Sequence, residues 1–303
     1  MGFHFQKKVQ RTMSASKTLR KIDLHMHTTV SDGSDTPADI LGRVKKAGIT
    51  CFSVTDHDAI KGCRMIRRLL KADDPAFLTG VEFSTRDERG SYHILGYHYD
   101  PEAQSIRKLV EFGHKLRMKK VNARLDFIRN EFGFEFPEEE IAALLAMDNP
   151  GKPHIGNLMV KYGYTDTKEK AIKEYINKLR IPNAFVRPED AIAGILGSGG
   201  IPVLAHGFFG SGDQLILGEK MDLRLRHLMD FGLQGVEAFY SGFTAKLTTE
   251  MLELAAKHHL YVTAGSDYHG SNKLVVLGDT GMDENTPIPA GMERFFEAVQ
   301  IPM

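Results

Sequence analysis

Between Lys21 and His269 the chain alternates short strand-like runs with helical stretches, and a His, Asp or Glu stands at or near the end of almost every run. Residues 21–27 (KIDLHMH) read as a strand, and 37–47 as a helix entered through Thr36-Pro37, a capping residue followed by a proline whose φ is already helical. A strand at 50–55 (TCFSVT), a helix at 59–72, and two strand-like segments at 77–84 and 91–99 follow. After Pro188 the pattern resumes, with strands at 201–206, 235–240 and 260–269 and helices at 189–198, 219–231 and 245–259. One short helix is expected after Pro289. Such alternation predicts a mostly parallel sheet or barrel. A chain of 303 residues is long for one average domain but suits a single α/β barrel that carries an insertion.

The insertion is visible in the periodicity. From about 102 to 180 apolar residues recur every three or four positions (Ile106, Leu109, Val110, then Val121, Leu125, Ile128), and Pro137 and Pro153 mark helix starts. The expected organisation is an N-terminal extension at 1–20, a barrel built from 21–101 and 186–303, and a helical insertion at 102–185 that caps the substrate. The first twenty residues are basic but hold no apolar stretch of signal-peptide length, and no run reaches membrane-spanning length.

Barrels place their chemistry at the carboxyl ends of the strands. Residues two apart on a strand share a face, so His25 and His27 point together and Met26 points away. A lone His-x-His pair is weak evidence for a metal. Here it has company: Asp32 in the following loop, His57 ending the second strand, Glu82 near the end of the third, His93 on the fourth, His206 ending IPVLAH, and Asp267 and His269 ending GSDYH. Chance placement of packing histidines does not account for nine such residues at six β-segments. Imidazole mixed with carboxylate suits Mn, Fe or Zn, and the absence of cysteine from the set argues against a structural zinc knot. Glu82, midway through the set, is the natural carboxylate bridge. Metals bridged in this way activate water at neutral pH and hold the oxygens of an in-line displacement at phosphorus.

Composition excludes some partners. Lys and Arg total 39, balancing 39 Asp and Glu, so a long nucleic-acid surface is not expected. Two cysteines, Cys51 and Cys63, cannot build a disulfide framework and fit a cytoplasmic protein. The glycines of GILGSGG (194–200) lack the Lys-Ser/Thr ending of a phosphate loop and read as a helix end and turn. His98, His114, His227, His258 and His259 match no ligand position and read as surface or packing residues.

Taken together, DLHMHTTVSDG, SVTDHD, GVEFS, YHILGY, VLAH and TAGSDYHG resemble the PHP (polymerase and histidinol phosphatase) superfamily, in its stand-alone phosphoesterase branch. The resemblance covers about residues 20 to 285. It implies a distorted (β/α)7 barrel with a helical insertion and two or three divalent ions. It also implies roles: His25, His27, Glu82 and Asp267 on a first metal; Asp32, His57 and His269 on a second; and a third held by His93 and His206, to which Glu82 bridges. Glu82, His206 and Asp267 are expected to serve catalysis as well as binding.

The chain departs from the family in two places. Relatives usually read AHP where Ala205-His206-Gly207 stands, which reshapes the loop GFFGSGD. In the insertion, an Arg-x-His element that helps hold substrate phosphate is replaced by Lys152-Pro153-His154. Lys neutralises phosphate without the bidentate fork of Arg. Lys152 and His154 are therefore the expected substrate contacts, with Tyr240 lining the pocket and Arg117 and Arg124 weaker candidates, since basic residues on a helix more often make a solvated face. The expected activity is metal-dependent hydrolysis of a phosphoester in a small phosphorylated metabolite or nucleotide, mono- or cyclic diester, by water activated between the metals. No membrane or obligate protein partner is expected. Alternatives are a 5′-to-3′ exonuclease on short RNA or a histidinol phosphate phosphatase. More remote are an amidohydrolase and a non-enzymatic metal-stabilised module.

Overall fold

The computed structural model describes residues 21–181, 184–210, 214–283 and 285–302; the expected extension at 1–20 and Ser211–Asp213 of the GFFGSGD loop lie outside them. Seven strands form one sheet in sequence order: β1 (Ile22–Asp23), β2 (Cys51–Val54), β3 (Ala76–Arg86), β4 (Ser91–Tyr97), β5 (Ile201–Leu204), β6 (Gly235–Tyr240) and β7 (Tyr261–Gly265). The sheet curls until its edges meet. Leu24 N donates to Ala264 O at 2.9 Å, His27 N to Tyr268 O at 2.8 Å, and Met26 bridges Tyr268 in parallel. The expected distorted barrel is the fold, with helices α1 (Pro37–Lys46), α2 (Lys61–Leu69), α7 (Pro188–Leu196), α8 (Glu219–Met229), α9 (Ala245–Lys257) and α10 (Ala290–Ala298) alongside its strands.

Local chemistry sets these elements. Thr36 caps α1 reciprocally with Asp39, Pro37 occupies the first turn, and Ile40, Leu41 and Val44 make the buried stripe. Strands β2, β5 and β6 are buried at every residue, as strands covered on both faces must be.

Two details differ from a plain reading of the pattern. Only Ile22–Asp23 of the expected 21–27 strand joins a regular ladder, because residues 24–27 turn to pair with the end of β7. The other concerns β4, which runs antiparallel to both neighbours. Residues 87–90 form a turn too short for a crossover, so β3 and β4 must be a hairpin. Asp87 shapes that turn by accepting from Arg89 N at 2.8 Å and Gly90 N at 3.0 Å.

From Gln104 to Phe132 runs one long helix, α3, followed by α4 (Glu138–Leu145), α5 (Lys152–Lys161) and a short α6 (Lys168–Lys170) that continues as a π-helical turn. The first turns of α3 put Ile106 and Leu109 into the barrel core. Its later residues Val121, Leu125 and Ile128 join Leu144, Ile155, Met159, Ala171 and Ile176 in a core of their own.

Candidate metal centre

The nine candidate ligands meet on one rim of the barrel. His25 and His27 are fully buried with ring centroids 5.3 Å apart, while Met26 between them packs on Ile40, Val44 and Phe52 below. Glu82 is not at a strand end. β3 continues four residues past it to form the hairpin, and the register pairs Glu82 with Leu95 and Ser84 with His93. Because β4 is reversed, its beginning lies at the rim where its neighbours end, which brings His93 to the site. His206 and Asp267 carry φ of +31° and +59°, a backbone region that costs a non-glycine residue energy and is held only when its surroundings demand it.

Glu82 is the hub. One oxygen, Oε2, lies 3.4 Å from His25 Nε2, 3.2 Å from His27 Nε2 and 3.0 Å from His57 Nδ1; the other, Oε1, lies 2.9 Å from His93 Nδ1 and 3.3 Å from His206 Nε2. Asp267 Oδ1 is 3.5 Å from His25 Nε2 and 3.3 Å from His27 Nε2, and Asp32 Oδ1 is 3.3 Å from His269 Nε2. Burial alone would push Glu82 up, yet His57, His25 and His93 hold it well below the usual carboxylate range. Asp267 is likewise driven up by burial and pulled further down by His25, His27, His269 and Lys273. His57 goes the other way, to about 3, since burial disfavours its cation.

Three sets of donors each lie within 4.8 Å of one another: His27, Asp32, His57 and His269; His25, His27 and Asp267; His57, Glu82 and His93. Buried atoms His25 Nε2, His27 Nε2, His57 Nδ1, Asp32 Oδ1 and Glu82 Oε2 make no well-formed hydrogen bond in the protein although they converge. Buried nitrogen and carboxylate donors that converge without well-formed hydrogen bonds fit divalent cations, and nitrogen–oxygen sets of this kind suit Mn, Fe or Zn.

The profile of the PHP domain family matches residues 23–185. The chain belongs to the PHP family. Among PHP relatives, a 3′,5′-nucleoside bisphosphate phosphatase of Chromobacterium violaceum is 27% identical over 83% of this chain and 88% of its own length. A phosphoribosyl 1,2-cyclic phosphate 1,2-diphosphodiesterase of Eggerthella lenta is 30% identical over 82% of this chain and 94% of its own. A crystal structure from Bifidobacterium adolescentis, described as a metal-dependent phosphoesterase, superposes with a TM-score of 0.76 at 25% identity, covering 92% of this chain and 96% of that one. This PHP chain is a metal-dependent phosphoesterase.

A cavity of about 380 Å³ opens above the ligands, lined by Asp32, His57, Glu82, His93, His206, Asp267 and His269. Tyr240 lines it as expected and donates its hydroxyl to Asp267 Oδ2 at 3.0 Å. Lys152 and His154 do not line it, although Pro153 between them does. Lys152 Nζ donates instead to Asn177 Oδ1 at 2.6 Å, and His154 Nδ1 accepts from Gly151 N at 3.0 Å at the start of α5. Arg117 does not line it either; it pairs with Asp58, next to His57. Two cations that sequence reasoning passed over do line the cavity. Lys273 contacts Asp267 Oδ2 and lies 3.3 Å from Tyr240 Oη, while Lys168 of α6 donates to Asn272 O at 2.9 Å.

Beside the cavity α3 buries a cationic row. Arg117, Lys120 and Arg124 share one helix face, Lys152 adds a fourth charge, and the Asp58 carboxylate faces Arg117 and Lys120. Burial, reinforced by mutual repulsion, draws Lys120 to about 7, Lys152 to about 8 and Arg124 to about 10. The Nε atoms of Arg117 and Arg124 are buried without a partner.

Behind the ligands stand three buried carboxylates that are not ligand candidates and that sequence reasoning also missed. Asp23 accepts from Ser266 N and Oγ and from Gly278 N at 2.6–2.9 Å, tying the loop of Asp267 to β1. Asp56 accepts from Thr28 N and Ser31 Oγ, both at 2.8 Å, fixing the loop of Asp32. Glu237 reaches His25. Each sits in or just after a buried strand of otherwise apolar or small residues (IDL, SVTD, GVEAF), and an acid in such a run is the signal that could have found them.

Proposed function

We propose that the chain hydrolyses a phosphoester bond in a small phosphorylated substrate, a nucleotide or sugar phosphate, using two or three divalent metals. The observation that carries this reading is the set of buried, unpartnered donor atoms converging beneath a cavity fringed by cations. His25, His27, Glu82 and Asp267 would hold one metal, Asp32, His57 and His269 a second, and His93 and His206 with Glu82 a third. When bound, such metals polarise a phosphoryl oxygen and lower the pKa of water.

The remaining work falls to the chain. Lys273 and Lys168 present ammonium groups to the phosphoryl oxygens as they enter. Tyr240 fixes Asp267 through its hydroxyl and closes one wall. The row Arg117, Lys120, Arg124 and Lys152, partly offset by Asp58, supplies a net positive charge beside the cavity, which favours a substrate with a second phosphate over one with a single ester. The insertion thereby acts as the substrate cap. Both cysteines are buried and free, in keeping with a cytoplasmic enzyme, and among the described residues no helix is long and apolar enough to cross a membrane.

Phosphate release by the Mn-, Fe- and Zn-loaded protein should be measured against nucleoside monophosphates, 3′,5′-bisphosphates, cyclic phosphates and a 5′-phosphorylated oligoribonucleotide. Turnover of a bisphosphate above its monophosphate is the expected result. Faster turnover of the oligonucleotide, or none with any of them, overturns the reading.

A further inference from the structure

Glu237 lies on β6 with its side chain fully buried, and it does not line the cavity above the ligands. Its two oxygens go to two different candidate ligands. Oε1 is 2.9 Å from His25 Nδ1, and Oε2 accepts from the backbone N–H of His206 at 2.9 Å. An ionised carboxylate can only accept. A proton is therefore held on His25 Nδ1, and Nε2 faces Glu82 and Asp267 without a well-formed hydrogen bond.

The fold makes room for this contact in two ways. Along β6 the register against β7 slips by one residue between Glu237 and Phe239. Strict alternation would put residues 237 and 239 on one face. The slip turns Glu237 and Tyr240 toward the site, to His25 and Asp267, and leaves Phe239 in the apolar core. Across the ladder stands Gly265. A Cβ there would lie 2.2 Å from the Cβ of His25 and 2.4 Å from Glu237 Oε1, so any larger residue would push the two apart.

We propose that Glu237 is a positioning residue that sets the tautomer of His25 and the placement of His206 together, coupling the two outer positions of the metal centre through one carboxylate. The second contact explains the φ of +31° at His206: the backbone of that residue is held out of its preferred region by the bond its N–H makes to Glu237. Outer partners that orient a ligating imidazole typically change metal affinity by about 10- to 100-fold. This inference rests on the metal-centre reading above and extends it to a residue outside the nine candidate ligands.

Glu237→Gln tests it. The amide still offers one oxygen to the His206 N–H but turns an NH2 toward His25 Nδ1, which must then accept and carry its proton on Nε2. Zn and Mn content and affinity should be measured by calorimetry on chelator-stripped wild type, Glu237→Gln and Glu237→Ala. The His25 tautomer should be read from ring 15N shifts of the stripped proteins, titrated to a pH at which the ring is neutral. The expected result is affinity lower by about 10- to 100-fold in both variants, with a swap from Nδ1–H to Nε2–H in Glu237→Gln and a stripped-protein melting curve close to wild type. Unchanged affinity and tautomer in Glu237→Gln would remove the assignment. If wild type itself takes up no ions, the metal-centre reading fails, and this one with it.

Discussion

Asp58, the residue after His57, is ion-paired with Arg117 of the long helix of the insertion, so cap and barrel rim are joined one residue from a candidate ligand. Asp58 is buried and Arg117 is nearly so, and Asp58 also accepts from Ser84 N at 3.1 Å. Its carboxylate is set against Arg117 and Lys120. Asp58→Ala takes that counter-charge from the row. A loss of about 3–5 kcal/mol is expected, read from urea midpoints. A loss under about 1 kcal/mol, the range of an exposed pair, would show that the contact is not a buried one.

Lys120 gives the stability a pH dependence. It is 6% exposed, and burial followed by repulsion from Arg117 draws it to about 7 from an ordinary 10.5. Below pH 7 both folded and unfolded chains hold this proton, and the folded state bears the whole cost of the buried charge. Between about 7 and 10.5 the unfolded chain keeps the proton that the folded chain has released, so this term makes stability rise with pH. Lys120→Met should therefore be more stable than wild type at pH 6 by roughly 2–4 kcal/mol, and the difference should shrink toward pH 10. Melts at pH 6, 8 and 10 check the sign. Added phosphate should narrow the gap at pH 6 by stabilising wild type.

Glu82→Ala removes the one side chain in contact with five histidines. Metal content per chain by mass spectrometry should fall, and phosphoester turnover should fall to background. A variant that keeps its full metal complement and rate would contradict the placement of Glu82 at the hub. In wild type, chelation should lower the melting temperature, since ligand held at 1,000 times its Kd stabilises by about 4 kcal/mol.

Tyr240→Phe keeps the ring, whose centroid is 5.4 Å from that of His206, and deletes the hydroxyl bonded to Asp267. Metal content should stay at the wild-type value while kcat drops roughly tenfold, the worth of one hydrogen bond to a charged group. An unchanged kcat would assign Tyr240 to packing alone.

Much of the barrel was legible because periodicity is a local property. α1, β2 and β6 fall within a residue or two of where apolar spacing and Thr36-Pro37 put them. The reversal of β4 was not, since a run of alternating residues carries no direction; only the four-residue turn before it does. The sequence places Glu82 near the end of a strand closing at 84, and the two further residues of β3 have no sequence mark because a hairpin extension past the rim leaves none. Of the site, His25, His27, Asp267 and His269 were visible through two-residue spacing. Lys168 and Lys273 were not, for lysines are common on surfaces and only folding brings these two to one cavity. Lys152 was singled out by analogy, and the structure turns its ammonium to Asn177 instead.

The pairing of Met26 with Tyr268 that closes the barrel has a consequence for timing. During synthesis His25 and His27 leave the ribosome early, yet their partners Asp267 and His269 are made some 240 residues later. At about 5–20 residues per second, the two early candidate ligands wait roughly 10–50 seconds without those partners. A cell that mixes metals in that interval can seed the wrong one, so the ion found in the finished enzyme should depend on whether metal is supplied during translation or after it.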